Sequence, residues 1–599
     1  MPKKKNINIK YTSRDFDSIK SDLIDHAKRY YPDNYKDFTT PSFGTMILDS
    51  VAYVGDVLSY YVDYGVNESF LDTSIEFDNI RKHARSLGYN FYGTPASHGV
   101  VALFVLCPAN SDGTAPDLTY LPIIRRGASF SSTTGGNYTL TEDVIFNDSK
   151  NEFVAARFDS ATGRTTYFAV KAYGQVHSGI YQVADINLND SSFEKFKKIR
   201  VGDTNITEIF SVVDSSGNKY HEVDNLAQEV VFLETTNKDA FSDGVRSILK
   251  PFVASRRFVV EQDDSGTYIQ FGYGSEDEDS TGVVDPSKIA LKMHGKKQIS
   301  NNSFDPSKLL STNKFGISPY NTKLKVVYRT NNPNTINAPA LSVSSVQFAE
   351  FLFEDPTVLT TSEVSSLKSS LEVSNEDPIT GYNSDLTNEE LKVRAKSYYA
   401  TQNRAVTKQD YESIVYQMPP KFGAVKRANI VNDPSSTNRR IAIYTVSEDN
   451  NKKLTVTPSV VKNNIKNWMS RYIPINDKVE IRDTFIINYS INFSVMYDRN
   501  YDPDSVLFAC QLALTEYLED VPYIGEAVYL TSLYDILNKV VGVVDVKKIT
   551  LHNRAGGVYS SNSLNFDKIL SKDGTYLKTP KNVIMELKYP KLDIKGTVK

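Results

Sequence analysis

After Pro41, apolar residues recur at close to helical spacing: Phe43, Met46, Ile47, Val51, Val54, Leu58, Tyr61 and Val62. The pattern predicts a helix of about six turns. An ordinary surface helix keeps its apolar residues to one stripe. This one is apolar over much of its circumference, so it needs neighbours on more than one side. A helical bundle within the chain or another subunit can supply them. The flanking sequence also reads as helical. Thr12 and Asp15 can cap a helix with the stripe Phe16, Ile19, Leu23 and Ala27, and a third helix carries Ile75, Ile80, Ala84 and Leu87 before the stop residue Gly88. Residues 1–96 are therefore expected to form an N-terminal helical core.

The texture changes at His98. Val100–Leu106 reads as a buried strand, and short β-like segments recur at Phe153–Phe158, Thr165–Ala172, Glu229–Thr235, Phe258–Gln262, Tyr268–Phe271 and Lys323–Tyr328. Polar turns at this spacing predict a β-rich domain over 97–340, as a sandwich, a barrel or a mixed insertion. Residues 341–430 read as a linker and helical connector. The linker, rich in Ser, Glu and Asp, holds one weak helix. The connector is a pair of helices from about 387 to 418 that start alike. Thr387 and Glu390 can form a capping box, with Leu386 and Leu391 as a hydrophobic staple; Thr407 and Asp410 repeat the box, with Val406 and Tyr411 as staple. Asp is shorter than Glu, so the second box is expected to be weaker. Two rigidly started helices on a short connection fix an angle and a distance.

Residues 431–552 alternate strand and helix. Thr457 can cap a helix with Pro458 at its first position, burying Val461, Ile465 and Trp468. Phe485 to Val495 then alternates apolar residues with Asn488, Ser490, Asn492 and Ser494, one face core and one face wet. The repeated β-α-β pattern predicts ferredoxin-like α+β domains, followed by a tail, 553–599, with one strand at Val583–Leu587. The expected class is α+β and multidomain, as 599 residues are too many for one core.

No catalytic constellation is found. The seven histidines, His26, His83, His98, His177, His221, His294 and His552, form no zinc-binding helical pair. Cys107 and Cys510 lie far apart, read as buried free thiols, and are too few for a zinc ribbon or an iron–sulfur site. Phe271-Gly-Tyr-Gly274 lacks the third glycine and the helix of a dinucleotide fingerprint, and the acidic run Glu276–Asp279 that follows would repel phosphate. Those acids lack EF-hand spacing and read as a solvated loop. A net charge of −4 leaves no global nucleic-acid footprint. Met1-Pro-Lys-Lys-Lys5 is not followed by an apolar segment, so neither a signal peptide nor a membrane span is expected, and cytoplasmic synthesis fits. Catalytic, cofactor and metal residues are all expected to be absent.

Three stretches, in order, resemble the baseplate J-like family, the wedge subunits of myovirus (contractile-tail phage) baseplates. They are Ser42–Asp49 continuing through Asn67–Leu71 to Ala84–Tyr89; Ile123–Gly127 with Ile269–Gly274; and Arg404–Thr407 with Asp410-Tyr411 and the Pro419, Gly423, Val425 segment behind it. The likeness spans roughly residues 10–550. It implies a structural virion protein and not an enzyme. Wedge subunits of the family pair, bundle their helices with a partner wedge protein, and join six-fold into a ring around the hub that tethers sheath and fibres. By likeness, residues 40–88 belong to that bundle and the C-terminal domains to the ring contacts. Gly88, Gly127, Gly272 and Gly274 are implied to be turn formers. The chain departs from the family where the usual Gly-Asp-Gly is Gly272-Tyr-Gly274, and the insertion 128–260 has no implied partner.

Two competing readings remain at this level. The 37 tyrosines and the β-rich region fit a virion adhesin for a host receptor or glycan. The 72 acidic residues leave room for a hydrolase of cell-wall sugar, though their number alone carries no information.

Overall fold

The computed structural model describes residues 14–31, 42–89, 94–160, 163–188, 193–236, 247–263, 265–274, 315–357, 359–382, 386–432 and 440–599. The basic tip, Thr12 and the acidic run Glu276–Asp279 lie outside the described residues. The protein is mixed α+β, with a β-rich central region. It forms two compact units, Met1–Phe91 with Leu386–Ala400, and Tyr92–Asp385 with Thr401–Lys599.

The first unit holds α1 (Phe16–Tyr30), α2 (Phe43–Glu68), α3 (Phe77–Ser86) and the helix Asn388–Thr401, whose last residue passes into the second unit. Asp15 caps α1, accepting from the Ser18 amide at 3.1 Å. The unit's core is small. Ile80 and Ala84 of α3 pack with Tyr89, Leu391 and Ala395, edged by Leu71, Phe77, Leu87 and Tyr398. Gly88 has φ +87°, and a Cβ there would sit 3.3 Å from the Tyr398 ring, so the turn and the packing both ask for glycine. The first helix of the expected connector therefore works as part of the N-terminal core. Asn388 Nδ2 donates to the Ile75 carbonyl at 2.7 Å, and Lys396 pairs with Asp72.

Glu68, the last residue of α2, fixes the turn into α3. Its Oε1 accepts from the amides of Ile75 (2.7 Å) and Glu76 (3.3 Å), and its Oε2 from Asn79 Nδ2 at 2.9 Å. A carboxylate at the start of α3 also answers the helix dipole. The bond from Asn79, with those from the backbone, holds its carboxyl below the ordinary carboxylate range.

In the second unit, the β-rich region forms two seven-stranded sheets. The first runs Val343–Phe348, Ser129–Ser132, Asn137–Leu140, Thr165–Ser178, His98–Pro108, Glu372–Ser374, with Glu152–Phe158 also on Thr165–Ser178. The second runs Ile180–Asn187, Lys323–Thr330, Ile206–Asp214, Lys219–Glu222, Arg257–Asp263, Gly266–Phe271, Lys198–Gly202. Each has its own core, one around Leu103, Phe130 and Tyr138, the other around Val212, Phe258 and Phe271. Where a linker is expected, the chain contributes two strands to the first sheet besides the helix Thr361–Ser369. A polar anchor seats them. Asn375, fully buried, accepts from the amides of Ser342 and Val343 and donates to the carbonyls of Pro339 and Asp377. Apolar periodicity cannot register such an anchor.

The C-terminal part begins with the helix Lys408–Tyr416. Its capping box is complete. Thr407 accepts from the Asp410 amide, and Asp410 Oδ2 accepts from the amides of Thr407 (2.8 Å) and Val406 (3.1 Å). The shorter Asp thus reaches two amides. The expected staple differs: Val406 is 67% exposed and Ala405 beside it is fully buried, its amide bonded to the Tyr472 carbonyl at 3.0 Å. Tyr411, Ile414, Val415 and Met418 pack with Val461 and Ile465 of the helix Ser459–Met469. Helices Lys408–Tyr416 and Ser459–Met469 back a sheet in which Arg440–Glu448 pairs antiparallel with Arg427–Asn432 and parallel with Lys478–Asp483. The order is α-β-β-α-β.

The strand Phe485–Tyr497 is central, antiparallel to Val543–Arg554 and parallel to Val583–Glu586 and Ile594–Val598. Its expected wet face is partly covered. Asn488 is 0% and Ser490 1% exposed, because the tail folds over them. The Ser560 amide donates to Asn488 Oδ1, and Asn488 Nδ2 donates to Glu586 Oε2, each at 2.7 Å. Beside the one strand expected, the tail thus adds Ile594–Val598 to this sheet, and its short strand Tyr576–Leu577 pairs with Val528–Tyr529. The polar, Gly-containing sequence of Ile594–Val598 hides that strand; a side chain at Gly596 would run into the Phe493 ring.

Two outcomes test this local chemistry. Thr407→Ala with Asp410→Ala lowers stability by about 1–2 kcal/mol in denaturant unfolding, the loss of a cap and its reciprocal bond. Glu68, with its folded pKa below the unfolded value, stabilises the first unit above the unfolded pKa and loses this as pH falls through the folded one. Glu68→Gln should therefore unfold at a lower temperature at pH 7, and the gap to wild type should close as the pH falls through the folded carboxyl's pKa.

Candidate assembly surface

α2 runs for 26 residues, about one turn longer than its spacing predicts, and its own chain covers one line of it. Thr45 and Ala52 are buried on that line, and Glu68, on the other side by helical rotation, is buried at the turn into α3. α1 lies along that line, with Ile19 against Gly55 and ion pairs Lys20–Asp49 (2.7 Å) and Arg14–Asp63 (2.8 Å) at either end. The rest faces outward. Phe43 is 73% exposed, Tyr53 63%, Leu58 58% and Tyr61 64%. At about 100° per residue, the exposed apolar positions run from Tyr60 and Tyr53 through Tyr61 and Ile47 to Leu58 and Val62, an arc of roughly 200°. One packed neighbour needs a stripe of about half that width.

The arc carries no charge that would keep it in water. α2 has no Lys, Arg or His, and of its four acids Asp49 and Asp63 pair with α1, Glu68 is engaged at the α3 turn, and Asp56 falls by helical rotation on the α1 side, outside the arc. Tyr60 stacks on Tyr64 with ring centroids 6.3 Å apart, and Tyr64 donates to Glu76 at 3.0 Å, so these phenols stand ordered along the helix. A continuous apolar face of this size is a candidate interaction surface. No described helix is long and apolar enough to cross a membrane.

The other sequence features resolve into structure. Gly272 faces the backbone carbonyls of Phe315 and Gly316, where any side chain would collide, and the Gly274 amide donates to the Gly316 carbonyl at 3.0 Å. Phe271–Gly274 is a close crossing of backbones and offers no cradle. Of the four glycines singled out by resemblance, Gly88 and Gly127 have positive φ, and Gly272 and Gly274 do not. Cys107 and Cys510 are buried and free, and burial pushes their thiols up to about 12 and about 11. Pairing of the strands that carry them brings His98 and His177 within 6.2 Å, where burial depresses both imidazoles, His98 to about 4. Among the described residues, no group of three His, Cys, Asp or Glu side chains is placed to hold a metal ion. Sequence reading missed Glu68; its signal was an acid at the end of one helix with another helix starting a few residues on.

Residues 15–86, which span α1 to α3, match the family described as bacteriophage baseplate protein, N-terminal domain. No curated protein matches the chain. Among solved structures, the chain aligns with one in the cryo-EM structure of the anti-feeding prophage (AFP) baseplate, 6-fold symmetrised. The alignment covers 95% of this chain and 90% of that one at 9% identity, with a TM-score of 0.26. A second alignment, to a chain of the type VI secretion system TssK-TssF-TssG baseplate subcomplex, covers 74% and 96% at 8% identity, with a TM-score of 0.25. The helical segment that carries the exposed arc is thus the segment that is similar to bacteriophage baseplate proteins.

Proposed function

We propose that the chain is a non-catalytic structural subunit of the baseplate of a contractile phage tail or a related injection apparatus, and that it acts there as a wedge component of baseplate J-like kind. The observation that carries this is the uncharged apolar arc of α2, lying inside the baseplate-like segment 15–86. In this reading α2 is the shared element of an intersubunit helical bundle. A second copy and a different wedge protein cover its two open sides, since the arc is wide enough for more than one helix. The C-terminal α+β part makes the ring contacts around the hub, and sheath-proximal and fibre-attachment proteins dock on the assembled ring. The product is a virion part. Contraction passes through it as a change of packing between rigid elements.

The test is association. Val54→Asp with Leu58→Asp alters residues whose side chains already face water in the isolated chain. The change should leave the thermal stability of the monomer nearly unchanged, within about 0.5 kcal/mol for exposed sites. It should weaken self-association and capture by the partner wedge protein at least a hundredfold, read by light scattering and co-purification. A wild-type protein that stays monomeric and joins no wedge partner overturns the proposal, as does an assembly indifferent to the two aspartates. Turnover of cell-wall material by the purified chain would overturn the non-catalytic part.

A further inference from the structure

The segment Pro419–Ala424, which follows the doubly bonded cap and its helix, is held against the β-rich region by a short list of bonds within the second unit. The Ala96 amide donates to the Pro420 carbonyl at 3.0 Å, and the Ala424 amide donates to the Gly381 carbonyl at 2.9 Å. Between them His98 Nε2 lies 2.9 Å from the Lys421 carbonyl, an acceptor, so Nε2 carries the proton. Gly423 closes over the same ring, where a Cβ would stand 3.3 Å from His98 Cδ2. Lys421 Nζ points to Glu222 at 3.9 Å on the second sheet.

The surroundings of His98 cannot take a second proton cheaply. His98 is 7% exposed. His177, its partner across the strand pair, packs edge-on at 6.2 Å, and Tyr181 lies 3.3 Å from His177 Nε2. Arg329, 1% exposed, holds a fixed positive charge here, donating to the Ser178 carbonyl at 2.6 Å and to Glu208 at 3.0 Å. The charged and titratable groups facing the pair are thus Arg329, Glu208, Tyr181, Lys421 and Glu222.

We propose that this seam is an acid-sensitive latch: protonation of His98 beside Arg329 releases the Pro419–Ala424 segment from the β-rich region while the cores on either side stay folded. The segment covers the His98 ring when the seam is closed, and burial there, with Arg329 nearby, keeps the imidazole neutral. In an open seam it returns toward the ordinary value near 6.5. The sign follows. Below about pH 6.5 the open form binds one more proton, so its population rises up to about tenfold per pH unit. Glu222 works the other way. Burial raises its carboxyl, so the closed form takes up its proton first, and the gain levels off where it titrates.

The experiment is amide hydrogen exchange on the full chain from pH 7 to pH 4, corrected for intrinsic exchange rates, comparing wild type with His98→Gln. Gln keeps a donor for the Lys421 carbonyl and does not titrate, and Glu222 titrates alike in both proteins. Relative to the variant, wild type should lose protection at Ala96 and Ala424, whose amides bond across the seam, by up to about tenfold per pH unit below pH 6.5, with protection at Ile443 and Ile465 in the neighbouring core retained. Equal slopes in wild type and variant overturn the latch, and so does simultaneous loss at the seam and in the core. Should a Gln variant fold poorly, the NMR titration of the His98 ring in wild type decides. A ring that stays neutral in the closed state to below pH 5 supports the latch, and one that titrates near 6.5 with the seam still protected overturns it.

Discussion

The constraint on which the first unit depends is an excess of apolar surface on α2 over what its own chain covers. Burying apolar area is the main favourable term in folding and association, at roughly 25 cal/mol per Å2. A helix that leaves Phe43, Tyr53, Leu58 and Tyr61 in water forgoes much of it. The unit is nevertheless held together, because its small core lies elsewhere, between α3 and the helix Asn388–Thr401. The α1 side of α2 uses ion pairs and small residues, Ala52 and Gly55, and the opposite side leaves its large residues exposed, the face proposed above for assembly.

Polar chemistry does the joining that apolar packing does not. Glu68 holds the α2–α3 turn through three donors, Asn375 seats two short strands in the first sheet, and Asn488 with Glu586 closes the tail over a strand face. Each is a buried side chain with its partners satisfied, which specifies one arrangement among many of similar hydrophobic content. The seam at Pro419–Ala424 belongs with these. It depends on few bonds, and one of them is made by a titratable ring.

Much of the fold was legible in the residues. The long helix from Phe43, the segments around Val100–Leu106, Thr165–Ala172 and Lys323–Tyr328, and the Thr407–Asp410 box all appear where period and capping chemistry place them. What was not legible has a common cause. The strands Val343–Phe348, Glu372–Ser374 and Ile594–Val598 are short or polar, so their membership in sheets is set by partners distant in sequence. For the same reason the helix beginning at Asn388 reads as half of a connector, though its stripe Leu391, Ala395 and Tyr398 packs on α3, some three hundred residues earlier. The candidate surface was legible as an excess and not as a place.

The sequence alone therefore determined that α2 is a helix too apolar to stand by itself, since helical period and side-chain type are local properties of the chain. It could not say which side of that helix the chain would cover, because this depends on where α1 lands and on which acids its cations reach. The tertiary structure decided that. By laying α1 along Thr45, Ala52 and Gly55 and pairing Asp49 and Asp63 there, it left the uncharged arc facing outward. Burial is a non-local quantity, set by contacts between residues far apart in the chain, and so this exposed apolar surface is defined only once the fold has formed.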